Sequence, residues 1–138
     1  MFKVIWLIKR KSSITHEQFR EHYERSHVAM AHKYFGHLWT EYRRNYVTTA
    51  FGGSPAPDGG LGPVAADCDC VTEWIFPSLA NYEELLRISA DPVIGKAFHD
   101  DEANFLDRES LRMFHVEVVD TGTGDGHGSA HLAMPTKR

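Results

Sequence analysis

Phe2-Lys3-Val4-Ile5-Trp6-Leu7-Ile8-Lys9 opens the chain, and after a short polar stretch comes Thr15-His16-Glu17-Gln18-Phe19. The first run is brief and rich in Val, Ile, Trp and Leu, which suits a pleated surface better than a helix, so it predicts strand one. In the second, Thr15 stands three residues before Gln18, the spacing at which a threonine caps the first helical turn and a glutamine reaches back. A strand feeding a capped helix is the first half of a β-α-β unit.

Working outward, helix one lays Phe19, Tyr23 and Met30 on one side, carries Glu17, Arg20, Glu24 and Lys33 on the other, and ends before Gly36. Leu38 to Phe51 predicts strand two, through Trp39, Tyr42, Tyr46, Val47, Thr48 and Thr49. Gly52 to Ala66 holds five glycines and three prolines among fifteen residues and is expected to be loop throughout. Cys68 to Phe76 predicts strand three; Pro77 stops it and Ser78 caps helix two, whose stripe is Leu79, Tyr82, Leu85 and Leu86. Asp91-Pro92 breaks that helix, a third runs from about Ile94 to Leu106, and Leu111 to Val119 predicts strand four.

The order β-α-β, long loop, β-α-α-β predicts an α+β, ferredoxin-like subunit: a four-stranded antiparallel sheet with helices on one face. The domain is expected over residues 1–119, with a Gly-rich tail over 120–138. The uncovered face would expose Trp6, Trp39 or Trp74, so two sheets are expected to pair face to face as a homodimer.

Composition narrows the function classes. Of 138 residues 42% are hydrophobic and 25% charged, ordinary for a globular domain. A net charge of −4 without a basic run argues against nucleic acid as partner. No apolar run approaches the roughly 20 residues that span a bilayer, so no membrane partner is expected and the reading is cytoplasmic. Cys68 and Cys70, one residue apart, make a poor disulfide framework and are expected as reduced thiols. No phosphate-binding or dinucleotide glycine pattern lies at a strand-to-helix turn, so no cofactor is expected.

Nine histidines raise the question of metal. His22, His27, His32 and His37 are five apart, which turns each by about 140° around an α-helix, and helix one holds no pair at ligating spacing. No metal site is predicted. His27 falls near the edge of the apolar stripe, where it is either a helix-end histidine answering the dipole or a group looking under the sheet. Asp101 falls amid the Ile94-Phe98-Phe105 stripe; a carboxylate there is either desolvated, with its pKa raised for proton transfer, or the cap of a helix beginning after Asp100. Glu73 interrupts the Val71-Glu73-Ile75 face of strand three, inside a pocket or on a solvated face, with Trp74 on the opposite side. His27 paired with Glu73 or Asp101 would move protons next to a carbonyl. His115 and Glu117 share one face of strand four and are a weaker pair of the same kind. Tyr34, Tyr46, Trp74 and Phe105, with His99, are the candidate substrate contacts, although helical geometry turns His99 toward solvent.

Val4-Ile5-Trp6-Leu7-Ile8-Lys9-Arg10-Lys11, Glu17-Gln18-Phe19-Arg20 and Tyr23-Glu24-Arg25-Ser26-His27 resemble the EthD-like family of dimeric α/β-barrel proteins. Glu73-Trp74-Ile75-Phe76-Pro77-Ser78 and Asp101-Glu102-Ala103-Asn104-Phe105-Leu106-Asp107 extend the likeness. The resemblance implies a ferredoxin-like subunit, a face-to-face dimer and a small-molecule pocket. It matches a recurrent histidine at the end of helix one to His27 and an acidic segment to Asp101 and Glu102. Ala29 stands where the family often has proline, and the Gly/Pro loop and Gly-rich tail are departures from its pattern. The activity expected is cofactor-independent acid–base chemistry, a dehydratase, isomerase or cyclase acting on a small carbonyl-bearing aromatic, lactone or polyketide-like compound, with His27 as general acid or base. The alternatives are a cofactor-free monooxygenase on an aromatic substrate and a non-catalytic binding or accessory protein.

Overall fold

A computed structural model describes residues 1–54 and 58–122. Strand β1 (Phe2–Ile8) leads to helix α1 (His16–His22), a single π turn (Tyr23–His27) and α2 (Val28–Phe35), which follow one another without interruption. Then come β2 (Glu41–Tyr46), the pair β3 (Ala50–Gly53) and β4 (Leu61–Val64), β5 (Cys70–Phe76), α3 (Leu79–Ser89), α4 (Pro92–Glu102), a 3₁₀ turn (Arg108–Ser110) and β6 (Arg112–Val116). The main sheet is antiparallel in the order β2-β5-β1-β6, which is the ferredoxin-like arrangement expected.

Register decides what each sheet face carries, because side chains alternate. Trp74 pairs with Val4 and Tyr42, and Thr72 with Trp6 and Arg44, so these belong to the face beneath the helices. Ile5 pairs with Glu73 and Phe114, and Leu7 with Val71 and Arg112; these form the uncovered face. The core beneath the helices forms two clusters. One gathers Val4, Ala31, Phe35, Phe76, Tyr82 and Leu85, the other Ile8, Phe19, Tyr23, Cys70, Phe105 and Leu106.

The local signals hold where they rest on chain chemistry. Thr15 accepts from the Gln18 amide at 3.1 Å while Gln18 Oε1 accepts from the Thr15 amide at 2.9 Å, which completes the capping box. Ser78 caps α3, and helix one ends at Phe35. Three expectations are corrected and one open alternative is decided. Strand two is shorter than expected, and its expected end together with the expected loop forms the antiparallel pair β3–β4, with Ala50 opposite Val64 and Phe51 opposite Pro63; Gly60, with φ of 62°, supplies a left-handed residue before β4. Helix α4 starts at Pro92, capped by Asp91, so Asp101 is not a cap. Helix one is widened by a π turn that its apolar stripe did not announce. Trp6 and Trp74 face the helices, so the apolar residues of the open face are Ile5, Leu7, Val71, Phe114 and Val116 instead. The tail expected over 120–138 lies, beyond Gly122, outside the described residues.

Candidate active site

Between the two core clusters a cavity of about 490 Å³ opens beneath the sheet. Trp6 and Trp74 come from the sheet, Tyr23 and His27 from the π turn, Phe35 from α2, Phe98 from α4, and Phe105 from the segment after α4. This volume falls in the range of small-molecule pockets. A larger open cleft of about 1420 Å³ lies between the hairpin and the body, lined by Lys9, Arg10, His16, Tyr46, Val64 and Asp69 among others. His16 and Arg10 there are both drawn to Asp69. His27 lines the smaller cavity, with its carboxylate partner behind it.

Asp101 is buried on α4 and accepts three hydrogen bonds from one turn of helix one. His22 Nε2 and Ser26 Oγ donate to its Oδ1 at 2.9 and 2.6 Å, and His27 Nδ1 donates to its Oδ2 at 2.9 Å. The π turn makes this possible. The Val28 amide bonds to the Tyr23 carbonyl, an i→i+5 closure that widens the turn so that residues five apart share a face. The 140° divergence expected for His22 and His27 therefore does not apply, and both rings reach one carboxylate. Phe105 completes the packing, with ring centroids 5.0 Å from His22 and 5.2 Å from His27.

Burial is the largest influence on Asp101 and pushes its pKa up. Hydrogen bonds from His27, Ser26 and His22, together with the charge of His27, outweigh it and bring the carboxyl to about 2. The raised pKa expected from sequence is thus reversed. Asp101 is an anion that accepts only, so in the neutral form of His27 the proton sits on Nδ1 and the lone pair on Nε2, the ring nitrogen not bonded to Asp101, on a residue that lines the cavity.

Behind His27 runs a chain of hydroxyls. Tyr42 donates to Tyr23 Oη at 3.2 Å, and Tyr23 is bonded to Thr72 Oγ1 at 2.7 Å. Burial raises both phenols above their ordinary values, so they stay protonated. The indole N–H groups of Trp6, Trp39 and Trp74 are fully covered and lack a hydrogen-bond partner among the described residues. Trp6 and Trp74 meet edge to face, with centroids 5.3 Å apart.

The remaining candidates separate. Trp74 and Phe105 line the cavity, and His99 stands at its rim with 63% of its side chain exposed. Glu73 belongs to the open sheet face, where Lys3 at 2.6 Å and Asn45 at 2.9 Å hold it; the Lys3 contact lowers its pKa, and it has no part in the cavity. Tyr34 packs against Phe98 and Phe35 rather than among the cavity's lining residues. Tyr46 donates to Glu24 at 2.5 Å and borders the larger cleft. His115 bonds Tyr82 Oη at 3.0 Å, as a packing contact beneath the sheet. Burial lifts the Cys70 thiol to about 11, which leaves it unreactive; Cys68 and Cys70 are both free. His22 and Ser26 were missed by the sequence reading. The apolar stripe gave no signal for them, since the eight-residue spacing of Tyr23 and Ala31 also occurs on one face of a regular amphipathic helix.

The EthD domain family model matches residues 11–109. No curated protein matches the chain. Among solved structures, protein Atu4242 from Agrobacterium tumefaciens is similar with a TM-score of 0.50 and 18% identity, covering 89% of this chain and 98% of its own. A hypothetical protein of Arabidopsis thaliana, At3g17210, is similar with a TM-score of 0.52 and 12% identity, covering 88% and 90%. Both likenesses speak for the fold.

Proposed function

The chain belongs to the EthD domain family, and on that footing we propose that its cavity is the active site of an acid–base enzyme acting on a small, enolisable carbonyl compound. The observation that carries this reading is the ionised, buried Asp101, which fixes the His27 proton on Nδ1 and leaves Nε2 as the base at an aromatic cavity. In the step proposed, His27 Nε2 takes a proton from carbon beside a carbonyl while the C–H electron pair becomes the enolate, its charge on oxygen. The imidazolium is held by Asp101, as in other base–orienter pairs. Returning the proton at another carbon gives isomerisation; giving it to a departing hydroxyl gives dehydration.

A homodimer through the open sheet face belongs to the same proposal. Ile5, Leu7, Val71 and Phe114 lie there side by side, with Phe114 46% exposed.

Deuterium exchange into 2-tetralone, a neutral bicyclic carbon acid, tests the chemistry. The wild-type protein is expected to speed incorporation next to the carbonyl above the buffer rate. His27→Asn should lower that gain roughly a hundredfold or more while the dimer stays folded. Exchange no faster than buffer would overturn the acid–base reading in favour of a binding or accessory role.

A further inference from the structure

Beyond locating a base, the cavity wall has a hydrogen-bonding sign. His27 Nδ1–H is committed to Asp101, so Nε2 offers only a lone pair. Tyr42 spends its proton on Tyr23, so its oxygen too is left as an acceptor. The Tyr23 and Thr72 hydroxyls are bonded to each other, and Thr72 lies 3.5 Å from Cys70 Sγ. The indole N–H groups of Trp6 and Trp74 are fully covered and do not face a ligand. Among the lining residues the ions are Glu102 and Arg108, which pair with each other near the exposed rim. Of the other polar lining groups, the Tyr82 hydroxyl is bonded to His115 at 3.0 Å, Ser89 donates to the Leu86 carbonyl at 3.0 Å, and His99 stands exposed at the rim. With His27 in its neutral form the inner wall presents acceptors and aromatic faces, with no countercharge for an ionic ligand.

We propose that the cavity selects a neutral, flat, fused-ring ligand that enters as a hydrogen-bond donor, a hydroxyarene or the enol form of a carbon acid, its hydroxyl given to His27 Nε2 with Tyr42 Oη as a second acceptor. This rests on His27 being the base of the proposed function, and it narrows the substrate class: a ligand carrying acceptors alone leaves both wall groups unpaired, and a carboxylate leaves its charge uncompensated. Neighbouring aromatic rings supply affinity without choosing between these ligands.

Equilibrium dialysis of the full-length protein against 2-naphthol, naphthalene, 2-methoxynaphthalene and 2-naphthoate tests it. 2-Naphthol is expected to bind about tenfold more tightly than naphthalene or 2-methoxynaphthalene, and 2-naphthoate to bind more weakly than all three. His27→Phe, which keeps an aromatic wall, should erase the preference for the hydroxyl while naphthalene binding persists. Tyr42→Phe serves as the second variant and should reduce the preference in part. Equal binding of 2-naphthol and naphthalene overturns the donor inference and leaves the base in place, since tetralone exchange reads the base separately. Tight binding of 2-naphthoate overturns the neutral ligand class. Binding of none of the four overturns the inference together with the cavity reading beneath it.

Discussion

Asp101 joins two lines of chemistry at the residue scale. The sequence left two readings of it open, a desolvated acid among Ile94, Phe98 and Phe105 or the cap of a helix beginning after Asp100, and the structure decides for the first, with Phe105 just beyond the end of α4. The sign of its pKa shift was not legible in the sequence, because the three compensating donors lie 74 to 79 positions earlier in the chain. The consequence for stability has a definite direction. With a folded-state pKa of about 2, below an unfolded value near 3.9, the group contributes stability above about pH 4 and loses it as pH falls through about 2. Urea midpoints measured from pH 5 to pH 2 should therefore fall, and Asp101→Asn should flatten that part of the curve. At neutral pH the same substitution is expected to lower stability by about 2 kcal/mol, since charged hydrogen bonds are replaced by weaker ones and one donor is left facing an amide. A variant with the wild-type acid limb would show that Asp101 is not the group responsible.

Elements differ in how much of their shape the local sequence settles. Thr15→Ala removes one half of the capping box and is expected to cost about 1 kcal/mol in urea denaturation, with the fold unchanged. Gly95 illustrates the opposite case. Glycine-to-alanine changes inside helices usually stabilise, yet a Cβ at Gly95 would lie 2.8 Å from the Ser89 carbonyl oxygen, because α4 turns back sharply from the end of α3. Gly95→Ala should therefore lower the thermal midpoint, by an amount equivalent to about 1–3 kcal/mol. The π turn belongs at this scale as well. Phe19, Tyr23, Ala31 and Phe35 are all buried along the helix that contains it, and its widening brings Ser26 and His27 beside Asp101. A pattern search assuming an unbroken α-helix assigns His22 and His27 to different faces, which is why the cluster stayed hidden. Composition misled in the hairpin for a related reason: glycine and proline disfavour strands on average, but Ala50, Phe51 and Val64 were enough to form a short ladder.

For the whole molecule, the helices cover one side of the sheet and leave a mixed apolar side open. Phe114→Asp places a charge on the edge strand β6 of that face, at a residue already 46% exposed, so the subunit should fold while the sedimentation mass drops from dimer to monomer. A wild-type protein that sediments as a monomer at micromolar concentration would remove the pairing of sheets. The sequence by itself determined the order of the elements, the caps of helix one and α3 and the antiparallel α+β class, because these depend on side-chain period and on contacts within a few residues. It also placed Trp74 opposite Glu73, since a strand alternates whatever surrounds it. Only the tertiary structure decided that Trp6 and Trp74 look toward the helices, that Glu73 is tied to Lys3 on the far face, and that Asp101 meets His22, Ser26 and His27. The physical reason is range: alternation fixes which residues share a face but not which face is buried, and the protonation of a buried acid is set by donors that packing delivers from a distant part of the chain.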